Sequence, residues 1–313
     1  MTTLIGWSKA IRFSRWAGWL AVLLLALSAS VAVTEESQAP APPGCALPAP
    51  PESTAGKSPW GRIVMVGASA TAGFTESEPM GGPTTQQYRL SRYLDAALLV
   101  PHKPARNLAH AMFFLQPEAV GRDQIDEALK ARPTLVVGID FLFWFCYGDG
   151  PTDKDRLRRF EKGLKLIEAV RCPLILGDIP DASGATNGML QADQVPSVAA
   201  MSAANRRLKE WAATRPQVVI VSLSGFMRSV MANQAFTIHG QTLPEGTTRV
   251  LLQSDQLHPS RRGCAVLALV ILDAFQSTRP AGSAGDVRWD PKEVLRLGVN
   301  PPHGPAGNRS EIP

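Results

Sequence analysis

Four short runs of apolar, mostly β-branched residues recur along the middle of the chain: Arg62-Ile63-Val64-Met65-Val66, Thr134-Leu135-Val136-Val137, Pro173-Leu174-Ile175-Leu176 and Val218-Val219-Ile220-Val221. Runs apolar at every position fit strands covered on both faces, which is the condition of a parallel sheet. A weaker fifth strand ends at Arg106-Asn107. Between them, residues 86–99, 118–131, 155–170, 196–213 and 261–275 are long enough for helices, and several place apolar residues three and four apart. This alternation predicts an α/β fold, a three-layer α/β/α sandwich around a five-stranded, mainly parallel sheet. From Phe226 to Gln253 the alternation stops. There Phe236-Thr237-Ile238-His239 and Thr248-Arg249-Val250-Leu251-Leu252 are expected to pair as a hairpin around Pro244-Glu245-Gly246.

The two ends read differently. Residues 1–32 carry Lys9, Arg12 and Arg15 with no acid, then an apolar stretch centred on Leu23-Leu24-Leu25, and close on Ser30-Val31-Ala32. That is the form of a signal for export to the periplasm or the exterior, an uncleaved membrane anchor being the alternative. Residues 33–60 are a Pro-rich linker, residues 61–276 the folded domain, and residues 277–313 a Pro/Gly-rich tail in which Val294-Leu295-Arg296-Leu297 could dock weakly. The net charge is +5, and Lys9, Arg12 and Arg15 supply three of those charges, so nothing in the remainder argues for a nucleic-acid partner. Any membrane contact is expected through the amino-terminal segment alone. Export would permit disulfides, and Cys146 with Cys172 is the preferred pair, two buried thiols being the alternative. Cys45 and Cys264 complete the set, with no CxxC element and hence no expected metal site.

In open parallel sheets, ligands collect beyond the carboxyl ends of the strands. After the first strand, Gly67-Ala68-Ser69-Ala70-Thr71-Ala72-Gly73 forms a turn of small residues that would expose the Ser69 hydroxyl at a helix start. It lacks the Gly-Lys-Ser/Thr ending of a phosphate loop and the spacing of a dinucleotide fingerprint. A serine is a weak nucleophile unless an imidazole takes its proton and a carboxylate orients that imidazole. Asp255-Gln256-Leu257-His258-Pro259 supplies both, on one short turn before the last helix. Asp178 and Asp181 lie near the same end by strand order, where turn chemistry explains them; His239 lies in the insertion, and Arg261 and Arg262, just after the Asp255–Pro259 turn, could attract an anionic substrate or simply be solvated.

The pairing of Gly-x-Ser-x-Thr-x-Gly after the first strand with Asp-x-x-His-Pro before the last helix resembles the SGNH (GDSL-type) hydrolases, over roughly residues 61–275. The resemblance implies a flavodoxin-like sandwich and, without any cofactor, cleavage of esters, thioesters or acetyl groups on a small molecule, lipid or carbohydrate. It implies Ser69 as nucleophile, His258 as base and Asp255 as its orienting acid. Asn107-Leu108-Ala109 and Gly138-Ile139-Asp140 stand where the second and third motifs fall, so Ser69, Ala109 and Asp140 are the expected oxyanion groups. Three departures stand out. Ala68 replaces the usual aspartate before the serine, Ala109 a glycine, and Asp140 the asparagine that donates to the oxyanion. An ionised Asp140 would repel that charge. Either burial keeps it protonated, or another group donates, or the chain is a slow or inactive binding module; acyl transfer to a polysaccharide is a further alternative. Asn107, His110, Phe141 and Trp144 are the expected pocket residues. The run from Phe141 to Tyr147 could line an acyl or sugar pocket or simply pack a helix onto the sheet.

Overall fold

A computed structural model describes residues 58–150, 152–279 and 283–301. The expected export segment, nearly all of the linker, Cys45 and the tail beyond Pro301 lie outside them. In chain order the elements are β1 (Ile63–Met65), α1 (Ser69–Ala72), α2 (Leu90–Ala97), β2 (Arg106–Asn107), α3 (Pro117–Lys130), β3 (Leu135–Gly138), α4 (Phe143–Cys146), α5 (Asp153–Ile167), β4 (Leu174–Gly177), α6 (Val198–Ala213), β5 (Val218–Val221), α7 (Leu223–Met231), β6 (Phe236–Ile238), β7 (Gln241–Leu243), α8 (Arg261–Gln276) and α9 (Pro291–Val299). The main sheet has five strands in the order β2-β1-β3-β4-β5, every pair parallel.

Because side chains alternate across a strand, each apolar run feeds two cores at once. Ile63, Met65, Leu135, Val137 and Ile175 point to the layer of α2, α7, α8 and α9. Val64, Val66, Val136, Leu174 and Leu176 point to the layer of α3, α4, α5 and α6. The helix starts follow from local chemistry: Thr152, Ser197, Ser222 and Ser260 each accept a backbone N–H of the first turn of α5, α6, α7 and α8.

The structure alters three expectations. The folded unit does not stop at residue 276. Apart from its ends, α8 is apolar on nearly every face, and a helix buried all round needs cover away from the sheet as well as on it. The segment assigned to the tail supplies that cover: α9 packs on α2 and α8, Val294 is fully buried, and Arg92 of α2 donates to the carbonyls of Gly298 and Val299 at 2.9 Å each. The hairpin forms, but β6 pairs with β7 rather than with residues 248–252. His239 and Gly240 both take positive φ (46° and 76°), giving a two-residue turn that matches strand twist, while Arg249–Leu251 closes as a 3-10 turn. The expected Cys146–Cys172 disulfide is absent, and both are free thiols. Cys172 precedes β4 at the amino end of the sheet, whereas Cys146 ends α4 beyond the carboxyl end of β3. Burial pushes the Cys146 thiol up to about 12 and that of Cys172 to about 11.

Candidate active site

Beyond the carboxyl ends of the strands, two turns meet. The first follows β1. Gly67 has φ 140°, and a Cβ there would lie 2.0 Å from an Asp140 oxygen, so only glycine fits. Its peptide is gripped from both sides by the buried amide of Gln124 on α3, which accepts from Gly67 N at 2.7 Å and donates to Gly67 O at 2.9 Å. Ser69 opens α1. Asp140, just past β3, accepts from Ala68 N (3.0 Å), Thr71 N (3.1 Å) and Thr71 Oγ1 (2.6 Å), and so caps the first turn of α1 from another strand. Asn107, at the end of β2, donates to Thr71 O at 2.9 Å and accepts from Ala109 N at 3.0 Å.

The second turn precedes α8. Asp255 accepts from Leu257 N (3.0 Å) and His258 N (2.9 Å) through Oδ1, leaving Oδ2 at 2.7 Å from His258 Nδ1. Gln256, at φ 58°, turns the backbone tightly enough for this. His258 Nε2 lies 2.7 Å from Ser69 Oγ, so serine, imidazole and carboxylate are joined in line. Asp255 and His258 are both buried. Burial pushes the Asp255 carboxyl upward, but the His258 hydrogen bond and charge together with the two backbone donors outweigh it and hold the group below its usual range. Phe74 stacks on the imidazole with centroids 4.1 Å apart. Gln253 Nε2 donates to Phe74 O at 2.8 Å and Pro259 O at 3.0 Å, and Gln253 N donates to His258 O at 2.9 Å. One side chain thus ties the loop after α1 to the turn that carries the base.

The expected oxyanion groups are redistributed. Asp140 borders the pocket beside Ser69, and its carboxylate is engaged by three donors of the nucleophile turn. Burial raises its pKa, and those same donors oppose the rise. The Ala109 N–H is spent on Asn107. The N–H groups of Ser69 and Ala70, at the open start of α1, have no acceptor among the described residues, which leaves them free for developing negative charge. Of the expected pocket residues, only Trp144 borders the space around Ser69. Asn107 is tied into the nucleophile turn. His110 is exposed and accepts from Met112 N at 3.2 Å. Phe141 is fully buried against Phe113 and Phe145, because it faces the α3 side of the sheet.

Of the remaining candidates Arg262 is exposed and the others are occupied elsewhere. Asp178 accepts from Ser224 N and Oγ at 2.6 Å each, and Asp181 from Ser183 N at 2.9 Å. His239 bonds Asp273 at 3.2 Å and stacks on Trp289, and Arg261 donates to Gln87 at 2.8 Å. No group of three or more metal-ligating side chains exists among the described residues. Sequence reasoning gave no role to Thr71, Phe74, Gln124 or Gln253. Thr71 lies inside the Gly-x-Ser-x-Thr-x-Gly turn and could have been found from it; the other three carry no signal of their own.

No family model matches the chain, and no curated protein does. Among solved structures, the chain is similar to a lipase/acylhydrolase from Enterococcus faecalis, with 19% identity over 74% of this chain and 98% of that one and a TM-score of 0.48. It is similar to a putative acylhydrolase from Bacteroides fragilis at 16% identity, covering 70% and 88% with a TM-score of 0.41. It is also similar to the C-terminal catalytic domain of a peptidoglycan O-acetyltransferase from Streptococcus pneumoniae at 14% identity, covering 70% and 94% with a TM-score of 0.41.

Proposed function

We propose that the chain is a serine hydrolase of SGNH type that cleaves carboxylic esters through an acyl-serine intermediate. The observation that carries this reading is the line of two 2.7 Å contacts from Ser69 Oγ through His258 to Asp255. His258 Nε2 takes the hydroxyl proton as Ser69 Oγ bonds to the ester carbonyl carbon, and the N–H groups of Ser69 and Ala70 receive the oxyanion. His258 then gives the proton to the departing alcohol as the ester C–O bond breaks. Water, activated by the same imidazole, cleaves the acyl-serine to free serine and a carboxylic acid. Asp255 stays ionised throughout, and the lowering of its pKa supports that role. The inactive-module alternative rests on Asp140 at the oxyanion position, and the three donors that engage its carboxylate favour the hydrolase.

The test is labelling by a fluorophosphonate probe together with hydrolysis of p-nitrophenyl acetate. The full chain is expected to label at Ser69 and to turn over. Ser69→Ala should do neither, a loss on the order of 10⁶-fold in kcat for a serine triad. Equal turnover by variant and parent, or no labelling of folded parent, would remove the catalytic assignment.

A further inference from the structure

The space around Ser69 Oγ is divided in two, and the halves differ in size and chemistry. On one side Ile139, Phe143, Leu223, Phe226, Leu252 and Leu267 wall a pocket with about 50 Å³ of room. All except half-buried Leu223 are buried. On the other side Phe74, Met112, Phe114, Met189, Gln191 and Gln194 border a cleft of about 290 Å³. Phe114 and Gln191 are exposed at its mouth. Trp144 and the catalytic pair Ser69 and His258 belong to both halves.

An ester bound at Ser69 must direct its acyl group into one half and its alcohol into the other. The inner walls offer hydrocarbon. Their only ionisable side chains are His258 and Asp140, the first engaged with Ser69 and Asp255, the second with Ala68 and Thr71. Hydroxyls placed there would give up their bonds to water without replacement, whereas alkyl carbons would give up nothing. The outgoing alcohol and incoming water both need room and solvent, and the larger outer cleft, with Phe114 and Gln191 exposed at its mouth, offers both. The acyl group therefore goes inward. An apolar cavity of roughly 150 Å³ holds one benzene. The inner pocket, about a third of that size, accommodates roughly two heavy atoms on the same scale.

Resting on Ser69 as the nucleophile, we infer that the substrate class is short-acyl esters, acetyl foremost, of a bulky alcohol seated in the outer cleft, with Phe226 and Leu223 of α7 setting the acyl limit. Ser224 and Gly225 separate the two on α7, whose start is held by Ser222 and Asp178, so the floor is built on a fixed helix end.

The experiment compares p-nitrophenyl acetate, butyrate and octanoate on the full chain, with active sites counted by the fluorophosphonate probe. The expected kcat/KM for acetate exceeds that for octanoate at least tenfold. In Phe226→Ala, and separately in Leu223→Ala, the octanoate-to-acetate ratio should rise at least tenfold over the parent. Leu223 is half-buried, so its variant serves if Phe226→Ala does not fold, and the parent profile needs no variant. Octanoate cleaved as fast as acetate by labelled parent, or a ratio unmoved in folded, labelled variants, overturns the acyl limit and leaves the hydrolase reading standing. Absence of both labelling and turnover with every ester overturns both.

Discussion

The turn that carries the serine and the turn that carries the base meet at one hydrogen bond, yet they are held by different means. The nucleophile turn is fixed from afar. Gln124 comes from α3, Asp140 from the end of β3 and Asn107 from β2, between 36 and 72 residues away in sequence. The base turn largely holds itself: Asp255 reaches the N–H groups two and three residues ahead and the imidazole three ahead. Gln253 joins it to the other side through Phe74 O, across 179 residues, helped by the Ser254–Glu76 hydrogen bond and the Phe74 ring on the imidazole. A self-contained turn needs a short motif. A turn assembled from four elements needs the whole fold before its serine is placed, so its geometry is as secure as the sheet beneath it.

The sharpest probe of the base turn is Asp255→Asn. It keeps the shape but favours the wrong imidazole tautomer, for which a loss of about 10⁴-fold in kcat is expected, read with p-nitrophenyl acetate. The same variant has a pH signature. Because the folded state holds the Asp255 carboxyl below its usual range, its ionised form stabilises the fold above the ordinary carboxylate range. That contribution disappears as pH falls through the depressed value. The acid-side fall in Tm should therefore be smaller in the variant than in the parent.

The nucleophile turn is broken by Asp140→Ala. It strands the buried N–H groups of Ala68 and Thr71, at about 1–3 kcal/mol each, and lets Ser69 shift. A displacement near 1 Å costs about 10²-fold in kcat/KM. Both Tm and kcat/KM should drop together. Retained activity with lowered Tm would mean the serine turn holds its geometry alone and would erase the contrast. The smallest effect is expected for Gln253→Leu, about tenfold in kcat with KM near that of the parent, because positioning by Phe74 is lost while substrate contacts remain. An unchanged kcat would make the link between the two turns dispensable.

The same contrast explains what could be read in advance. The strands were legible because burial on both faces demands an unbroken apolar run, and β5 matches its predicted bounds of Val218–Val221. The Asp255-x-x-His258 turn was legible because its partners are neighbours in sequence. Asp140 is the opposite case. Its position after β3 was clear, but the direction of its carboxylate depends on Thr71 and Gly67, brought to it only by the pairing of β1 with β3. Gln124 sits among the polar residues of α3 and resembles its solvated neighbours until the helix packs. The tail was misjudged because Pro and Gly punctuate it, while the need for cover on α8 is visible only once that helix is known to be apolar on nearly every side.

The place where the chain enters the domain has a geometric consequence. Ser58–Gly61 lead into β1 at the amino ends of the strands, and the Trp60 indole donates to Asp286 at 3.0 Å, stitching the entry to the segment that runs into α9. The serine lies beyond the opposite, carboxyl ends. Entry and mouth thus occupy opposite poles of the sheet. A pull applied at Ser58 would load the Trp60–Asp286 stitch before the triad.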